Sequence, residues 1–179
     1  MKNKLISLSL FLSLSFLAIN AQVKDTMNLK HFQYLANKQI GTQIKDWSLK
    51  DLKGNIHKSE DLKGKIILVN FWAIRCGACI MIDKDLKDLQ SRFDSIGFKI
   101  VDIECDNRND SSKINRFTLK KKICENTLID GYNTRLKYGV VAFPTLFLID
   151  RSGKIVYNHL GYFYNDKKNE MIEQIKKIK

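Results

Sequence analysis

Apolar residues along this chain come in blocks whose period changes from one to the next, and each change marks an element. The first block, Leu5 to Ile19, is uncharged, follows Lys2 and Lys4, and ends at Asn20-Ala21-Gln22. It is short for a bilayer span and has a small residue at Ala21, which reads as a signal peptide over residues 1–21. Retention of the block as a membrane anchor is the other reading. Residues 22–40 form a polar lead-in in which Leu29, Phe32, Tyr34 and Leu35 allow a short helix or a loose segment. Trp47-Ser48-Leu49 and Ile56 then flank a turn, Lys50 to Asn55, and predict two short strands.

The near-continuous apolar run in Lys65 to Trp72 suits a central strand covered on both faces. Ile82, Leu86, Leu89 and Phe93 recur at helical spacing until Gly97 stops them, and Phe98 to Cys105 returns to a strand pattern. Asp110 or Ser111 can cap a helix carrying Ile114, Phe117 and Leu119, with Lys120 to Lys122 at its favourable C-terminal end. Thr127 to Ile129 suggests a short strand and Tyr132 to Tyr138 a brief helix closed by Gly139. Thr145 to Ile149, the turn Asp150-Arg151-Ser152-Gly153, and Lys154 to His159 make an antiparallel hairpin. A last helix from Asn165 or Asp166 turns Met171, Ile172, Ile175 and Ile178 inward. The expected fold is α/β, a central mixed sheet flanked by helices, with residues 41–179 as one domain.

Chemistry enters at Cys76-Gly77-Ala78-Cys79, set between the buried strand and the helix-patterned stretch. Two thiols one helical turn apart at such a junction are arranged for dithiol–disulfide exchange. The first meets the unpaired N–H groups of a helix N-terminus, which favour a thiolate, and the second can attack a mixed disulfide on the first. In this context a C-x-x-C reads as thioredoxin-like. Zinc is disfavoured, because Cys105, Cys124, His31, His57 and His159 supply neither a second pair nor close histidines. A purely structural role is weak too, since so short a loop removes little unfolded-state entropy.

Charge narrows the partners. The chain has 31 Lys and Arg against 19 Asp and Glu, a net charge of +12. Losing Lys2 and Lys4 with the leader would bring this to +10. The lysines spread along helix faces without interleaved aromatics, so a solvated basic surface is expected rather than a nucleic-acid site. No second apolar stretch could span a membrane once the leader is cleaved. An exported chain meets an oxidising compartment, which makes a second disulfide between Cys105 and Cys124 conceivable; independent buried thiols are the equal alternative.

Taken together, several motifs resemble the exported thioredoxin-like proteins of the TlpA/ResA type. They are Gly41 to Ile56, Leu62-Lys63-Gly64-Lys65, Val69-Asn70-Phe71-Trp72-Ala73, the C-x-x-C, Gly139-Val140, Phe143-Pro144-Thr145 and Phe147-Leu148-Ile149-Asp150. The resemblance implies a thioredoxin fold with an N-terminal β-hairpin extension, placed in the periplasm or otherwise outside the cytoplasm. It also implies reduction of disulfides in exported client proteins, with Cys76 as nucleophile, Cys79 as resolving thiol and an upstream membrane electron donor. No cofactor or metal is implied. Pro144, the only proline, is then expected in cis beside the thiols.

Three positions depart from the pattern, and a fourth, Asn70, follows the TlpA-like group but differs from cytoplasmic thioredoxins. Arg75 stands where tryptophan is usual, and its charge favours the Cys76 thiolate. Ala78 replaces a common proline, and Phe143 replaces a smaller residue facing the cysteines. Asn70 stands where cytoplasmic thioredoxins bury an aspartate, so proton transfer to Cys79 needs another route. Asp102 and Glu104 share one face of the next strand and are the candidates, with a solvated strand end as the bland reading of Glu104. Two other functions stay in view: a disulfide oxidase or isomerase, and a non-catalytic module that holds clients beside Pro144. A peroxidase of the peroxiredoxin kind would need a Pro-x-x-x-Thr run, which is absent.

Overall fold

The computed structural model describes residues 28–124 and 126–179, so the signal-peptide assignment over residues 1–21 lies outside the described residues. Contacts divide the chain into Met1–Tyr34 and Leu35–Lys179. Residues 28–37 are helical (α1), and everything that follows concerns the second unit.

Its sheet has seven strands: β1 (Ser48–Asp51), β2 (Ile56–Lys58), β3 (Ile66–Trp72), β4 (Phe98–Glu104), β5 (Leu128–Ile129), β6 (Thr145–Ile149) and β7 (Ile155–Leu160). They lie in the order β2-β1-β5-β4-β3-β6-β7. β3 runs parallel to β4 and antiparallel to β6, so the sheet is mixed, as expected. The β1–β2 hairpin is the predicted extension, and it joins the sheet edge through β5. Four further helices are α2 (Gly77–Phe93), α3 (Ser111–Lys121), α4 (Tyr132–Lys137) and α5 (Asn165–Lys177). Cys76 is the residue that caps α2, so the helix takes in most of the C-x-x-C instead of following it.

Every residue of β3 is buried. Alternation along it separates two cores. Ile67, Val69 and Phe71 pack with Ala36, Tyr138 and Phe147 on one face. Ile66 and Leu68 pack with α2 and α5 residues such as Ile82, Leu89 and Ile175 on the other. The ring of Phe71 lies 5.1 Å from that of Tyr138 and 6.0 Å from that of Phe147, contacts that add about 0.5–1.5 kcal/mol per pair beyond burial. A third cluster forms where β3 ends, with Trp72, Cys79, Ile114, Ile123 and Cys124. There the Trp72 indole N–H donates to Thr127 Oγ1 at 2.8 Å.

α4 can approach β4 closely because position 131 has no side chain. The Gly131 N–H donates to Glu104 O at 3.0 Å. A β-carbon there would collide with the Ile103 side chain, stand 2.6 Å from the Glu104 carbonyl oxygen and press on Cys105 Sγ at 3.2 Å. Because one obstacle is backbone, relief requires α4 to move. Gly131→Ala is therefore expected to lower stability by about 1–3 kcal/mol, read as a shift in denaturant midpoint at unchanged slope.

Candidate active site

The chain leaves β3 at Trp72 and turns once, with the Cys76 N–H donating to Ala73 O at 3.0 Å. Cys76 then adopts extended dihedrals (φ −93°, ψ 104°), and its Sγ accepts the Cys79 N–H at 3.0 Å. This is N-cap geometry with sulfur in place of oxygen, and it aims a helix N–H at Cys76 Sγ, an arrangement that favours a thiolate over a thiol. No acidic residue occupies the first turn of α2 to oppose that charge. The two sulfurs form a disulfide across a Cα–Cα distance of 5.2 Å. Cys76 is part-exposed, whereas Cys79 is wholly buried.

A cleft of about 530 Å³ opens beside Cys76. Arg75 and Ala78, from the segment that carries the thiols, line it together with Arg108, Tyr132, Arg135 and Phe143 from later segments. The Phe143–Pro144 bond is cis, as the sequence led us to expect. Pro144 itself is buried, its carbonyl accepts the Gly161 N–H at 2.8 Å, and Phe143 packs with Cys76 against the cluster that holds Cys79. The structure thus brings Arg75, both cysteines and the Phe143–Pro144 segment together.

Glu104 joins two of these segments. It is 2 % exposed, which overturns the reading of a solvated strand end. Its carboxylate accepts from the Asp106 N–H at 3.1 Å and Asn109 Nδ2 at 2.9 Å. It also accepts from the backbone of Ile74, two residues before Cys76. Burial nonetheless raises its pKa above the ordinary glutamate value. One buried acid therefore ties the turn carrying the thiols to the loop that faces them.

Asp102 lies elsewhere. It borders a separate pocket of about 290 Å³ with Asp83, Lys87 and Cys124, and it hydrogen-bonds to neither Cys76 nor Cys79. Its side chain instead hydrogen-bonds Cys124, which packs in the same cluster as Cys79. Asn70 Nδ2 donates to Asp102 Oδ1 at 2.7 Å, but burial, helped by the nearby Asp83 charge, pushes the Asp102 pKa up to about 6. Cys105 and Cys124 do not pair, and the second disulfide is corrected to two free buried thiols. The reason is their placement: Cys105 belongs to the core beneath α4 and donates to Ile103 O, while Cys124 belongs to the cluster around Cys79. The Cys124 N–H donates to Asp83 Oδ1 at 2.9 Å, and burial holds both thiols well above their usual pKa.

The sequence pattern does not point to Arg108, Tyr132 and Arg135, whose place in the cleft with Cys76 follows only from the path of β4, β5 and α4. Asp83 was missed as well, a buried acid four residues after Cys79 and next to Ile82 in the apolar stripe of α2. That position was the signal available.

Comparison with known proteins now adds kinship to geometry. Residues 40–158, two thirds of the chain, match the AhpC/TSA family. The chain belongs to the AhpC/TSA family. Within reach of it, the thiol-disulfide oxidoreductase ResA of Bacillus cereus is 28% identical over 180 residues, spanning 99% of this chain and 98% of its own. The thioredoxin-like protein YneN of Bacillus subtilis is 30% identical over 124 residues, spanning 69% of this chain and 72% of its own. A crystal structure assigned to the thiol:disulfide interchange protein DsbE of Chlorobium tepidum superimposes with a TM-score of 0.70 at 27% identity, covering 78% of this chain and 96% of that one. The resemblance to the ResA type holds, and this member of the family has the fold, the dithiol and the relatives of a thiol–disulfide oxidoreductase. No helix among the described residues is long and apolar enough to cross a membrane.

The Asp102 pKa carries a consequence for stability. An unfolded aspartate titrates near 3.9. Raising that value to about 6 means that folding disfavours the charged form. The side chain therefore subtracts stability as pH climbs from about 4 through 6, and subtracts none below that window. Asp102→Asn should gain about 1–3 kcal/mol at pH 8 and almost nothing at pH 3.5, measured by urea unfolding at the two pH values. A less stable Asn variant at pH 8 would show instead that the charged carboxylate is a stabilising partner.

Proposed function

We propose that this chain acts outside the cytoplasm as a disulfide reductase for exported proteins, with Cys76 as the attacking thiol and Cys79 as the resolving one. The observation that carries the assignment is the asymmetry of the pair. Cys76 is reachable from the cleft and has a helix N–H on its sulfur, while Cys79 is sealed beneath it. Export rests on the Leu5 to Ile19 block behind Lys2 and Lys4.

In the reduced protein the Cys76 thiolate attacks one sulfur of a client disulfide. The client S–S bond breaks, a Cys76–client S–S bond forms, and the departing client thiolate takes a proton from water. Cys79 then loses its proton and attacks Cys76 Sγ, which releases the second client thiolate. Two electrons pass from the protein dithiol to the client, leaving the Cys76–Cys79 disulfide seen here. An upstream dithiol donor at the membrane must return those two electrons for the next turnover. Phe143 borders the surface on which the client chain would lie, with Pro144 buried behind it in sequence, and Arg75 would favour the Cys76 thiolate electrostatically.

One observation favours a second reading. A cation beside Cys76 and a helix N–H on its sulfur both stabilise the reduced, thiolate form, which makes the disulfide more oxidising. Whether that carries the protein into oxidase territory is a matter of magnitude. The expected potential is roughly −200 to −260 mV, above thioredoxin but short of a strong oxidase. Equilibration in glutathione buffers measures it, and a value near −120 mV would assign disulfide formation instead.

Two variants test the roles. Cys79→Ala should accumulate mixed disulfides between Cys76 and clients, visible on non-reducing gels and lost with reductant; a Cys79-linked adduct in the converse variant only would reverse the assignment. Arg75→Ala should slow alkylation of Cys76 near neutral pH, modestly because the guanidinium is exposed; an unchanged rate would remove Arg75 from thiolate stabilisation.

A further inference from the structure

The cleft beside the thiols carries more positive charge than its own side chains neutralise. Arg75, Arg108 and Arg135 line it, and Asp106 is the only carboxylate among them. Arg108 closes a fork on Asp106, with Nε to Oδ1 and Nη2 to Oδ2 both at 2.7 Å, so that pair cancels. Arg75 and Arg135 have no salt-bridge partner among the described residues.

Arg135 is held in an unusual way. Its guanidinium carbon sits 4.5 Å from the centroid of the Tyr132 ring and 5.7 Å from that of Phe143. One of the five donors of an arginine is taken, by Val140 O at 2.9 Å from Nη1, and the enclosed Nε has no acceptor at all. Aromatic faces fix a guanidinium plane without using its donors. A guanidinium fixed by stacking, short of acceptors and lining one cleft with a second arginine is suited to bind a carboxylate.

We propose that this cleft selects client disulfides that carry an acidic side chain beside the reacting cysteine, with Arg135 and Arg75 as the specificity-determining residues. The inference rests on the oxidoreductase reading above and names the substrate class for that same site. A client segment crossing Cys76 puts the neighbours of its cysteine in the cleft that Arg75 and Arg135 both line. A glutamate or aspartate there meets two unpaired cations, whereas a lysine meets repulsion. The exchange chemistry is unchanged: the same two electrons move from the dithiol to the client, and only the choice of client differs.

The test uses the reduced protein and three synthetic peptides with one cystine and identical sequence except for the flanking residue, glutamate, glutamine or lysine. Rapid-quench single turnovers give the rate constant for each. The expected preference for the glutamate peptide over the lysine peptide is about tenfold at low ionic strength, falling towards unity near 0.5 M salt. Arg135→Gln and Arg75→Gln should each reduce that ratio at least about threefold. Using the ratio removes any change the variants make to Cys76 reactivity. Equal reduction of all three peptides by the wild-type protein overturns the inference and leaves the oxidoreductase reading standing. A preference for lysine also overturns it, and failure to reduce any of the three overturns both. Should a variant not fold, the salt dependence of the wild-type ratio decides: a preference that salt does not weaken overturns the electrostatic selection.

Discussion

The position of the reactive sulfur depends on how completely β3 is enclosed. Each large apolar side chain that β3 places in a core contributes about 1.5–3 kcal/mol, and its alternation commits successive residues to opposite cores. A slip of one residue would exchange the two sets, so register is pinned. With the register pinned, the chain has to leave the sheet at Trp72, whose indole is tied down by Thr127. Only one turn separates that point from Cys76. The cysteine is thus delivered to the cap position of α2 by packing many ångströms of strand away from any chemistry. The Sγ contact with the Cys79 N–H follows from the delivery.

A second constraint acts across the cleft. Glu104 ends the strand beside β3 and spends its carboxylate on N–H groups from both walls. Burying an acid raises the free energy of its charged form, and hydrogen bonds to the anion offset part of that loss. The arrangement ties the loops without adding a cation to the cleft. Asp106 behaves differently: Arg108 holds its carboxyl below the usual carboxylate range, with Arg75 helping. The acids near the thiols are therefore either enclosed by N–H donors or matched by a guanidinium, and neither Arg75 nor Arg135 forms a salt bridge with them among the described residues.

Strand and helix order could be read from the chain because each element carries a strong period. The continuous apolar run ending at Trp72 and the stripe Ile82, Leu86, Leu89 and Phe93 permit few other assignments, and the C-x-x-C between them located the thiols. What stayed hidden depends on contacts between distant segments. Arg135 looks like an ordinary exposed helix residue until α4 is docked, and docking is permitted by the bare backbone at Gly131. Glu104 and Asp102 lie on one strand face in the sequence pattern, yet one ties the cleft together and the other opens on a separate pocket beside Cys124. Alternation gives a face but not a neighbour. The same limit applied to Cys105 and Cys124, for which count and compartment permitted a bond while burial in different clusters separates them.

Positive charge around Cys76 has two effects on exchange that pull in opposite directions. By favouring the thiolate it makes the dithiol a weaker reductant, since about 1.4 kcal/mol of extra stabilisation corresponds to about 30 mV for a two-electron couple. The same lowering raises the thiolate fraction but dulls its intrinsic nucleophilicity. In the proposed exchange the client thiolate also departs within the cleft that Arg75 and Arg135 line. A leaving group in a positive field has a lower pKa and leaves faster. The loss of driving force is felt over the whole cycle, while the gain is felt at the step in which the client disulfide breaks. On the proposed reduction of clients, a cleft built this way would trade reducing power for speed at its first exchange and would depend on a donor that keeps returning electrons.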